Sequence, residues 1–392
     1  MDLVILAGGK GKRIKKLNPI KPKPLIKIEN KIFLDLVINY YSKFNFENIF
    51  ILAGYRGFLI KKAFQNKIKN FTNIKCIIEK SPKDTGGALF QLKNKIEKDF
   101  ILINGDTFLN IGNPKNLKNI IKKKDIGSLC LIKNKRKNKV KFNNLNLNND
   151  NDVIITKNSN YINSGIYYFN KKIFKYIPNK KISLEREIMP KLISLKKIKG
   201  KFINCSFLDI GTPRDLIFAK KNLPLMLKKP AVFLDRDGVI NHDKGYTHNF
   251  KNFKFRKNVI STLKYLQKKK FFIFIVTNQA GIAKKKYSLL QFFKLHKKIN
   301  SYLSEKDIFI DDLEYCPHHP EGLIKSLSIK CKCRKPSNLM ITRLINRWFI
   351  NLTKSFFIGD KISDELAAKK SNIKFYYVEN DIFKQVKNII KK

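Results

Sequence analysis

Short apolar runs that end in glycine or aspartate recur along both halves of the chain, separated by segments of helical periodicity. In the first half they include "LVILAGG" (3–9), "NIFILAG" (48–54) and "DFILINGD" (99–106). The pattern resumes at "AVFLDRDG" (231–238) and continues to "SFFIGD" (355–360). Strands of a parallel sheet are covered on both faces, so they read as continuous apolar runs. The pattern therefore predicts an α/β fold with mostly parallel sheets.

The length of 392 residues favours two or three domains. The segment "LPLMLKKP" (223–230) has two prolines and no clear period, so we place the domain boundary there. We predict one domain over 1–222, a linker over 223–230 and a second domain over 231–392. The polar stretch around 134–160 is predicted to be a loop or an irregular edge hairpin.

The net charge of +52 raises the question of nucleic-acid or anionic-membrane binding. Only ten of the 82 basic residues are arginine, the residue that makes bidentate phosphate contacts. The lysines are spread over both halves among many isoleucines and asparagines, which indicates compositional drift. We therefore expect neither nucleic acid nor a membrane as a partner, although substrates with several phosphates would be attracted.

Two features of the chain favour a cytoplasmic protein. The most apolar local runs, such as "FFIFIV" (271–276), are far shorter than the roughly 20 residues that span a bilayer. The N-terminal "MDLVILAGGKGKR" carries its basic residues after the apolar run, which is the reverse of a signal peptide.

Three of the six cysteines are scattered in apolar stretches, where a small buried hydrophobe is the ordinary role. The other three share a short segment with two histidines. In a cytosolic protein such a cluster indicates a metal more than disulfides. Three thiolates and one imidazole form a closed tetrahedral set, typical of structural zinc that orders a loop of low apolar content. The predicted zinc ligands are Cys316, His318, Cys331 and Cys333.

Acidic residues end two predicted strands of the second half. Asp235 and Asp237 are two apart, so both side chains lie on one side of the strand, at the end where open α/β sheets bind ligands. One carboxylate can attack phosphorus while the other donates a proton to the leaving oxygen. Together with Asp360 they suit Mg²⁺, which would offset repulsion by the phosphate. Thr277 and Lys335 can bind the same phosphate.

"DRDG", "VTN", Lys335 and "GDKISD" resemble the four motifs of the haloacid dehalogenase superfamily, over most of 231–378. Within it, "CPHHPEG" and "CKCRKP" resemble the zinc loop of the D,D-heptose 1,7-bisphosphate phosphatases and the related histidinol-phosphate phosphatases. The resemblance implies an aspartyl-phosphate intermediate, with Arg334 and Lys335 positioned for phosphate by the zinc. This chain has "RKPSNLM" where the family usually has "RKPxPGM". The implied substrate contacts are Asp243, Lys244, Gly245, Tyr246, Thr277, Asn278, Gln279, Ala280 and Lys361.

"LAGGKGKRI" (6–14) follows the first predicted strand. It is not the dinucleotide fingerprint, because the last glycine is absent, and it is not a P-loop, because no Lys-Ser/Thr follows the glycines. Its glycines let the backbone approach a triphosphate and direct N–H groups at anionic oxygens. Arg13 and Lys23 can neutralise the phosphates. The predicted nucleotide loop comprises Leu6, Ala7, Gly8, Gly9 and Gly11.

With "DTGGALF" (84–90), "INGDTF" (103–108), "YINSGIYYF" (161–169) and "FLDIGTP" (207–213), this loop resembles the sugar-1-phosphate nucleotidyltransferases across nearly all of 1–220. The family's usual Glu-Lys pair before the "NSG" strand is absent, and only Lys157 is nearby. The resemblance implies direct attack of a sugar phosphate on the α-phosphorus as pyrophosphate leaves. It implies base contacts at Gly86 and Gly87, Mg²⁺ at Asp106 and Asp209, and sugar contacts at Asn163 and Glu185.

The two resemblances predict consecutive reactions and two Rossmann-like, doubly wound domains. The first would be a GT-A-like nucleotidyltransferase sheet, and the second a haloacid dehalogenase-like sheet with a zinc loop. The second domain would remove the 7-phosphate of heptose 1,7-bisphosphate, and the first would join heptose 1-phosphate to a nucleotide. The first half most resembles the D-glycero-α-D-manno-heptose 1-phosphate guanylyltransferases, which implies GTP and a GDP-heptose for a surface glycan.

Three alternatives remain at this point. The same chemistries could act on mannose 1-phosphate and a histidinol-phosphate-like substrate. A nucleic-acid end-processing phosphatase would fit the charge and the aspartates, but no P-loop kinase or aromatic-lined groove accompanies it. A catalytically inactive binding protein is disfavoured by the intact Asp235, Asp237, Lys335 and Asp360. The oligomeric state, the anomer and the base are not predicted from residues alone.

Overall fold

A computed structural model describes residues 1–14, 20–133, 145–156 and 159–391, apart from the side chain of Lys12. Within the polar stretch 134–160, residues 134–144, Lys157 and Asn158 lie outside the described residues. The chain splits into two compact units, Met1–Leu223 and Pro224–Lys392. Within the described ranges, no helix has the length and apolar character needed to cross a bilayer.

The N-terminal unit contains a ten-stranded sheet and two smaller strand pairs. Its strands are β1 (Asp2–Ala7), β2 (Lys27–Ile28), β3 (Lys31–Ile32), β4 (Ile49–Ala53), β5 (Ile68–Lys69), β6 (Thr72–Ile78), β7 (Phe100–Asn104), β8 (Thr107–Leu109), β9 (Gly127–Lys133), β10 (Leu145–Leu147), β11 (Val153–Ile155), β12 (Tyr161–Phe169), β13 (Ile198–Phe202) and β14 (Phe207–Asp209). Its helices are α1 (Phe33–Ser42), α2 (Gly57–Phe64), α3 (Asp84–Phe90), α4 (Met189–Ser194) and α5 (Pro213–Leu227).

The centre of this sheet is parallel, in the order β7-β1-β4-β6, and the predicted apolar runs form these strands. Ile5 lies opposite Ile51 on one side and Ile103 on the other, and all three are buried. The antiparallel β12 continues the sheet beyond β7. The described part of the predicted loop or edge hairpin forms the antiparallel pair β10 and β11 at the sheet edge. Parallel strands with helical crossovers bring their carboxyl ends to one edge, where ligands bind.

The boundary between the units falls within α5, which ends at Leu227. The first part of the predicted linker, 223–230, is therefore helical. Pro224 is accommodated inside α5, so this proline does not end the helix, whereas Pro230 lies beyond the end of the helix.

The C-terminal unit contains a parallel five-stranded sheet in the order β17-β16-β15-β18-β19 once its strands are numbered along the chain. These strands are β15 (Ala231–Leu234), β16 (Phe272–Asn278), β17 (Asp312–Cys316), β18 (Phe356–Gly359) and β19 (Lys374–Tyr377). The helices are α6 (Val259–Lys268), α7 (Ala280–Ala283), α8 (Leu289–Ser304), α9 (Leu339–Arg347), α10 (Ile362–Lys369) and α11 (Ile382–Lys391).

Helices cover both faces of this sheet. Val232 and Leu234 of β15 pack into one core with α6, α8 and α11, whereas Ala231 and Phe233 pack into a second core with α9 and α10. The alternation follows from the period of two along a strand. The C-terminal unit is thus doubly wound, as predicted, and the ends of β15, β16 and β18 share one edge.

Candidate active sites

The C-terminal site is organised around the buried ammonium of Lys335. Its Nζ lies 2.7 Å from Oδ1 of Asp235 and 2.6 Å from Oδ1 of Asp364, and donates to the carbonyl of Val276 at 2.7 Å. Burial alone would lower the pKa of Lys335, but the two carboxylates raise it above its usual value. Burial raises the pKa of Asp235 to about 6, against the opposing effect of Lys335. The lysine therefore stays charged beside the predicted nucleophile.

Three carboxylates converge at this edge of the sheet. Asp235, Asp360 and Asp364 place carboxylate oxygens within 4.8 Å of one another. Oδ1 of Asp360 is buried and has no hydrogen-bond partner among the described residues. A buried, unpartnered carboxylate oxygen is costly, and hard oxygen ligands suit Mg²⁺, so the donor set fits the ion that the sequence predicted.

Asp364 is a site residue that sequence reasoning missed, although it lies inside the quoted "GDKISD". Its Oδ2 also accepts from the backbone N–H groups of Asp360 and Lys361, each at 3.2 Å. The available signal was its position four residues after Asp360, in the first turn of α10. At that spacing two side chains lie on the same face of a helical turn.

Asp237, predicted as a third metal ligand, lies outside this three-carboxylate group. Its carboxylate accepts from Arg236 Nη2 at 2.7 and 2.9 Å, from Asn241 Nδ2 at 3.0 Å and from Gln279 Nε2 at 3.0 Å. These donors fix its orientation. The arrangement suits the predicted proton transfer more than metal ligation by this carboxylate.

Two predicted substrate contacts instead hold the site together through their side chains. Gln279 is only 2% exposed, and its amide donates to Asp237 and Thr277 and accepts from the Tyr287 hydroxyl. The amide of Asn278 accepts from the backbone N–H of Lys335 at 3.0 Å and donates to its carbonyl at 3.1 Å. Their side chains thus fix the positions of Asp237, Thr277 and Lys335, which the sequence predicted as catalytic.

The remaining predicted contacts form an exposed rim. Lys361 Nζ lies 3.2 Å from Oδ2 of Asp243, whose Oδ1 accepts from the backbone N–H of Gly245 at 3.0 Å. Lys244 is exposed, Tyr246 is 44% exposed, and Ala280 at the start of α7 is partly exposed. The loop and Lys361 are therefore tied together beside Asp360.

Gly238 allows the close approach of two catalytic segments. Its φ is +89°, and a β-carbon there would overlap Oδ2 of Asp360. Only glycine combines this backbone conformation with the absence of a side chain.

The cysteine and histidine side chains meet as predicted from their spacing. Sγ of Cys316 lies 3.5 Å from that of Cys331 and 3.2 Å from that of Cys333, and Nδ1 of His318 lies 3.2 Å from Sγ of Cys333. A tetrahedron with zinc–sulfur bonds of about 2.3 Å has edges of about 3.5–3.8 Å, so the donor set fits zinc. Arg334, which directly precedes Lys335 in the chain, donates from its Nη1 to the carbonyl of His318 at 3.4 Å.

In the N-terminal unit, Lys23 bridges the two predicted metal aspartates. Its Nζ lies 2.5 Å from Oδ2 of Asp106 and 3.5 Å from Oδ1 of Asp209. The pairing of β8 with β14 places Asp209 opposite Thr107. Burial, followed by the neighbouring Asp106, raises the pKa of Asp209 to about 6. Two crowded carboxylates that share one ammonium form a donor set that fits a divalent cation.

The nucleotide loop follows β1 and closes on β4. The carbonyl of Gly8 accepts from the backbone N–H of Tyr55 at 3.1 Å, and a β-carbon on Gly54 would lie 2.6 Å from that carbonyl oxygen. Gly11 has a φ of +57°, and Arg13 is exposed. Leu6 and Ala7 end β1, and Gly9 has open space where a β-carbon would lie.

Glu79 is a second residue that sequence reasoning missed. It follows β6, and its Oε2 lies 3.0 Å from where a β-carbon of Gly8 would be. Its Oε1 accepts from the backbone N–H of Lys83 at 3.3 Å, and burial raises its pKa. The signal was the one used for Asp106, an acidic residue directly after an apolar strand.

The predicted sugar contacts lie near one another around Tyr167. Asn163 Nδ2 donates to the Tyr167 hydroxyl at 2.7 Å. Burial raises the pKa of Tyr167, and the nearby Glu185 carboxylate raises it further. Glu185 accepts from the Thr85 hydroxyl at 2.5 Å and lies on a π-helical turn, Leu184–Ile188, a form found often at functional sites.

Gly86 and Gly87 are fixed by the segment that precedes this turn. Both backbone N–H groups donate to the carbonyl of Ile182, at 3.0 and 3.2 Å. A β-carbon on Gly87 would lie 2.6 Å from the carbonyl of Lys180. These glycines therefore permit close packing of α3 against the segment 180–184.

The two folds and their carboxylate sites define a protein with one nucleotidyltransferase half and one phosphatase half. Residues 3–224 match the nucleotidyl transferase family model, and residues 232–383 match the model described as polynucleotide kinase 3 phosphatase. The D-glycero-beta-D-manno-heptose-1,7-bisphosphate 7-phosphatase of Escherichia coli K12 is 40% identical over 144 residues, 37% of this chain and 75% of that protein. The chain thus belongs to the nucleotidyl transferase family through its first half and to the family of these 7-phosphatases through its second half.

Solved structures align with the first half. HddC from Yersinia pseudotuberculosis is 28% identical with a TM-score of 0.48, covering 57% of this chain and 99% of that one. A putative glucose-1-phosphate thymidylyltransferase from Bacillus anthracis is 17% identical with a TM-score of 0.50, covering 56% of this chain and 94% of its own. The second likeness shows that the fold of the first half is that of a nucleotidyltransferase, and both predicted family memberships are confirmed.

Proposed function

We propose that the chain catalyses two consecutive steps in the synthesis of a nucleotide-activated heptose. The C-terminal unit removes the 7-phosphate of D-glycero-D-manno-heptose 1,7-bisphosphate, and the N-terminal unit joins heptose 1-phosphate to a guanylyl group from GTP. The observation that carries the proposal is the presence in one chain of both sites, one in a half 40% identical to a heptose bisphosphate 7-phosphatase. The product of that phosphatase is a sugar 1-phosphate, the substrate class of the other half.

The phosphatase reaction follows from the roles of three side chains. The Asp235 carboxylate attacks the 7-phosphorus, the bond from phosphorus to the sugar oxygen breaks, and Asp237 gives that oxygen a proton. Asp237 then takes a proton from the water that hydrolyses the aspartyl phosphate, which frees inorganic phosphate. Lys335 and the Thr277 hydroxyl hold the phosphoryl oxygens. Mg²⁺ held by Asp235, Asp360 and Asp364 would offset the charge of the phosphate.

The nucleotidyl transfer needs no covalent enzyme intermediate. A phosphate oxygen of heptose 1-phosphate attacks the α-phosphorus of GTP, and pyrophosphate leaves. The backbone of the glycine loop cradles the phosphates, and Lys23 and Arg13 neutralise them. Asp106 and Asp209 would hold Mg²⁺ there. Glu185 accepts hydrogen bonds from sugar hydroxyls, and the amide of Asn163 contacts the same sugar.

Glu79 supports guanine as the base. A carboxylate offers only acceptors, and guanine presents two neighbouring donors, N1–H and N2–H₂, on one edge. Adenine and cytosine pair one donor with an acceptor on that edge, and uracil flanks its single donor with two acceptors. A carboxylate beside Gly8 therefore favours guanine and repels the others through unpaired acceptors.

The Cys/His cluster is assigned a structural role in this proposal. Three thiolates and one imidazole leave no open position for a substrate. Zinc there would order the segment that delivers Arg334 and Lys335 to the phosphate.

A second candidate is removal of a 3′-phosphate from a nucleic-acid end, favoured by the match of residues 232–383 to the polynucleotide kinase 3 phosphatase model. The identity of 40% to heptose bisphosphate 7-phosphatases supports the sugar substrate over this one.

The test is incubation of the protein with Mg²⁺, GTP and each anomer of the heptose bisphosphate, followed by mass spectrometry and a phosphate assay. We expect GDP-heptose from one anomer. Asp235→Asn should abolish phosphate release but still convert supplied heptose 1-phosphate, and Asp209→Asn should do the reverse. Phosphate release from a 3′-phosphorylated oligonucleotide, with none from either anomer, would establish the second candidate instead.

A further inference from the structure

Arg236, between the two catalytic aspartates, is among the largest fully buried side chains described, at 1% exposure. Its guanidinium makes three kinds of contact. Nη2 donates to Asp237 at 2.7 Å and to the carbonyl of Thr247 at 3.0 Å, and Nη1 lies 3.3 Å from Nε2 of His296. Of these partners, only Asp237 was singled out by the sequence motifs.

His296 acts here as a neutral acceptor. A guanidinium can only donate, so Nε2 of His296 must accept, and the ring proton resides on Nδ1. His296 is 1% exposed on α8, and burial together with Arg236 lowers its pKa well below the usual value. The face of the Phe292 ring lies 5.9 Å from the guanidinium carbon. His296 and Phe292 therefore hold the guanidinium in addition to its contact with Asp237.

A buried arginine–aspartate pair is a poor source of stability, because desolvation of both charges cancels most of their attraction. An apolar pair of similar volume would serve the core at least as well. The contacts instead join three parts of the site: the predicted proton donor Asp237, helix α8, and the end of the loop 243–247 that carries the predicted substrate contacts.

We propose that Arg236, anchored by His296, is a positioning residue of the phosphatase. It fixes the angle of the Asp237 carboxylate toward the leaving sugar oxygen and fixes the loop 243–247 beside it. The inference rests on the proposed phosphatase function, and it adds two residues that touch neither phosphate nor metal.

The leaving group separates positioning from simple structural support. A sugar alkoxide leaves only if it receives a proton, so its departure depends on the placement of Asp237. The p-nitrophenolate ion leaves without a proton. Misplacing Asp237 should therefore slow the sugar phosphate selectively, whereas general destabilisation should slow both substrates equally.

The experiment measures kcat and KM for heptose bisphosphate and for p-nitrophenyl phosphate. Arg236→Lys keeps the charge but cannot reach Asp237, Thr247 and His296 together. We expect its kcat on the bisphosphate to fall about 10–100-fold, with the aryl phosphate changed by less than about threefold. His296→Leu should show a smaller selective loss, and His296→Gln, which restores an acceptor, should recover most of it. Exposed His242→Gln is the matched control.

Equal losses on both substrates, or no loss in either Arg236→Lys or His296→Leu, would overturn the proposal. The histidine pair decides the question if Arg236→Lys fails to fold, as judged by tryptophan fluorescence. If the unaltered protein releases no phosphate from heptose bisphosphate, the proposed substrate is wrong. The same comparison is then made with glycerol phosphate, whose alkoxide also needs a proton, so the two failures are distinguished.

Discussion

Nζ of Lys335 lies 2.7 Å from Oδ1 of Asp235, and Lys335 follows Cys333 by two residues. The ammonium beside the proposed nucleophile is therefore carried by the segment that contains the Cys/His cluster. Loss of metal from the cluster should misplace Lys335. The reaction should then fail although no reacting group is removed.

We expect Cys331→Ser to lose bound zinc, to unfold at lower temperature and to lose about 10–100-fold of phosphatase activity. Metal content by mass spectrometry should fall from one zinc per chain to none. Cys205→Ser, in the other unit, should keep both zinc and phosphatase activity. A zinc-free Cys331→Ser protein with full activity would contradict the structural role.

Gly238 and Gly245 provide a matched pair. Both have positive φ, but only at Gly238 would a β-carbon meet another group, Oδ2 of Asp360. Gly245→Ala should lower the free energy of unfolding by about 1–2 kcal/mol from backbone strain alone. Gly238→Ala should carry the same strain and also displace Asp360, with a loss of phosphatase activity of about 100-fold. Equal activities in the two variants would show that Asp360 tolerates displacement.

The sequence predicted the strands whose residues are buried on both faces, because such strands have a simple apolar signature. It did not predict β17, "DLEYC", whose Asp312 and Glu314 are buried in spite of their charge. Arg347 reaches both, with Nη1 near Asp312 at 2.5 Å and Nη2 near Glu314 at 2.7 Å. Arg347 lies some thirty residues further along the chain, on α9. No local sequence pattern therefore reveals that the two acids are neutralised.

The candidate sites show the same division. Asp235, Lys335 and the Cys/His cluster were predictable, since each belongs to a motif with fixed spacing. Asp364, Arg236 and His296 were not, because their importance comes from long-range contacts with residues already in the site. Gln279 was predicted as a substrate contact, but its contacts with Asp237, Thr277 and the Tyr287 hydroxyl could not be predicted, because only the folded structure brings them together.

Burial of His296 predicts acid sensitivity in the phosphatase unit. The folded protein holds this histidine neutral, with a pKa well below 6.5, whereas the unfolded chain binds a proton there below about pH 6.5. At this site the unfolded state thus binds more protons, and the contribution of His296 to the free energy of unfolding should fall as pH decreases below 6.5, by up to about 1.4 kcal/mol per pH unit. Trp348, the single tryptophan of the chain, lies in this unit and reports its unfolding.

His296→Gln should remove this contribution and leave the opposite one of Asp235, whose pKa of about 6 lets the folded protein bind a proton that the unfolded chain releases. Exposed His242→Gln should leave the slope of the unaltered protein unchanged. Urea titrations between about pH 5 and about pH 7.5, a range that spans the usual histidine pKa of about 6.5, give the slopes. A parallel slope in His296→Gln and in the unaltered protein would mean that another group titrates.

Glu79 makes the base preference testable within the N-terminal unit. Glutamine at this position keeps one acceptor but adds a donor, so it can no longer satisfy both guanine N–H groups. It matches the donor and acceptor edge of uracil instead. We expect Glu79→Gln to lower kcat/KM for GTP about 10–100-fold, the effect of losing a hydrogen bond to a charged group, and to raise the relative use of UTP.

The measurement is pyrophosphate release with each nucleoside triphosphate at a fixed concentration of heptose 1-phosphate. Exposed Glu97→Gln, which removes the same charge away from the loop, should retain the preference of the unaltered protein. An unchanged ratio of pyrophosphate release with GTP to that with UTP in Glu79→Gln would show that another residue recognises the base. If the Glu79 carboxylate contacted the base, its exchange for an amide would change which base the side chain can pair with.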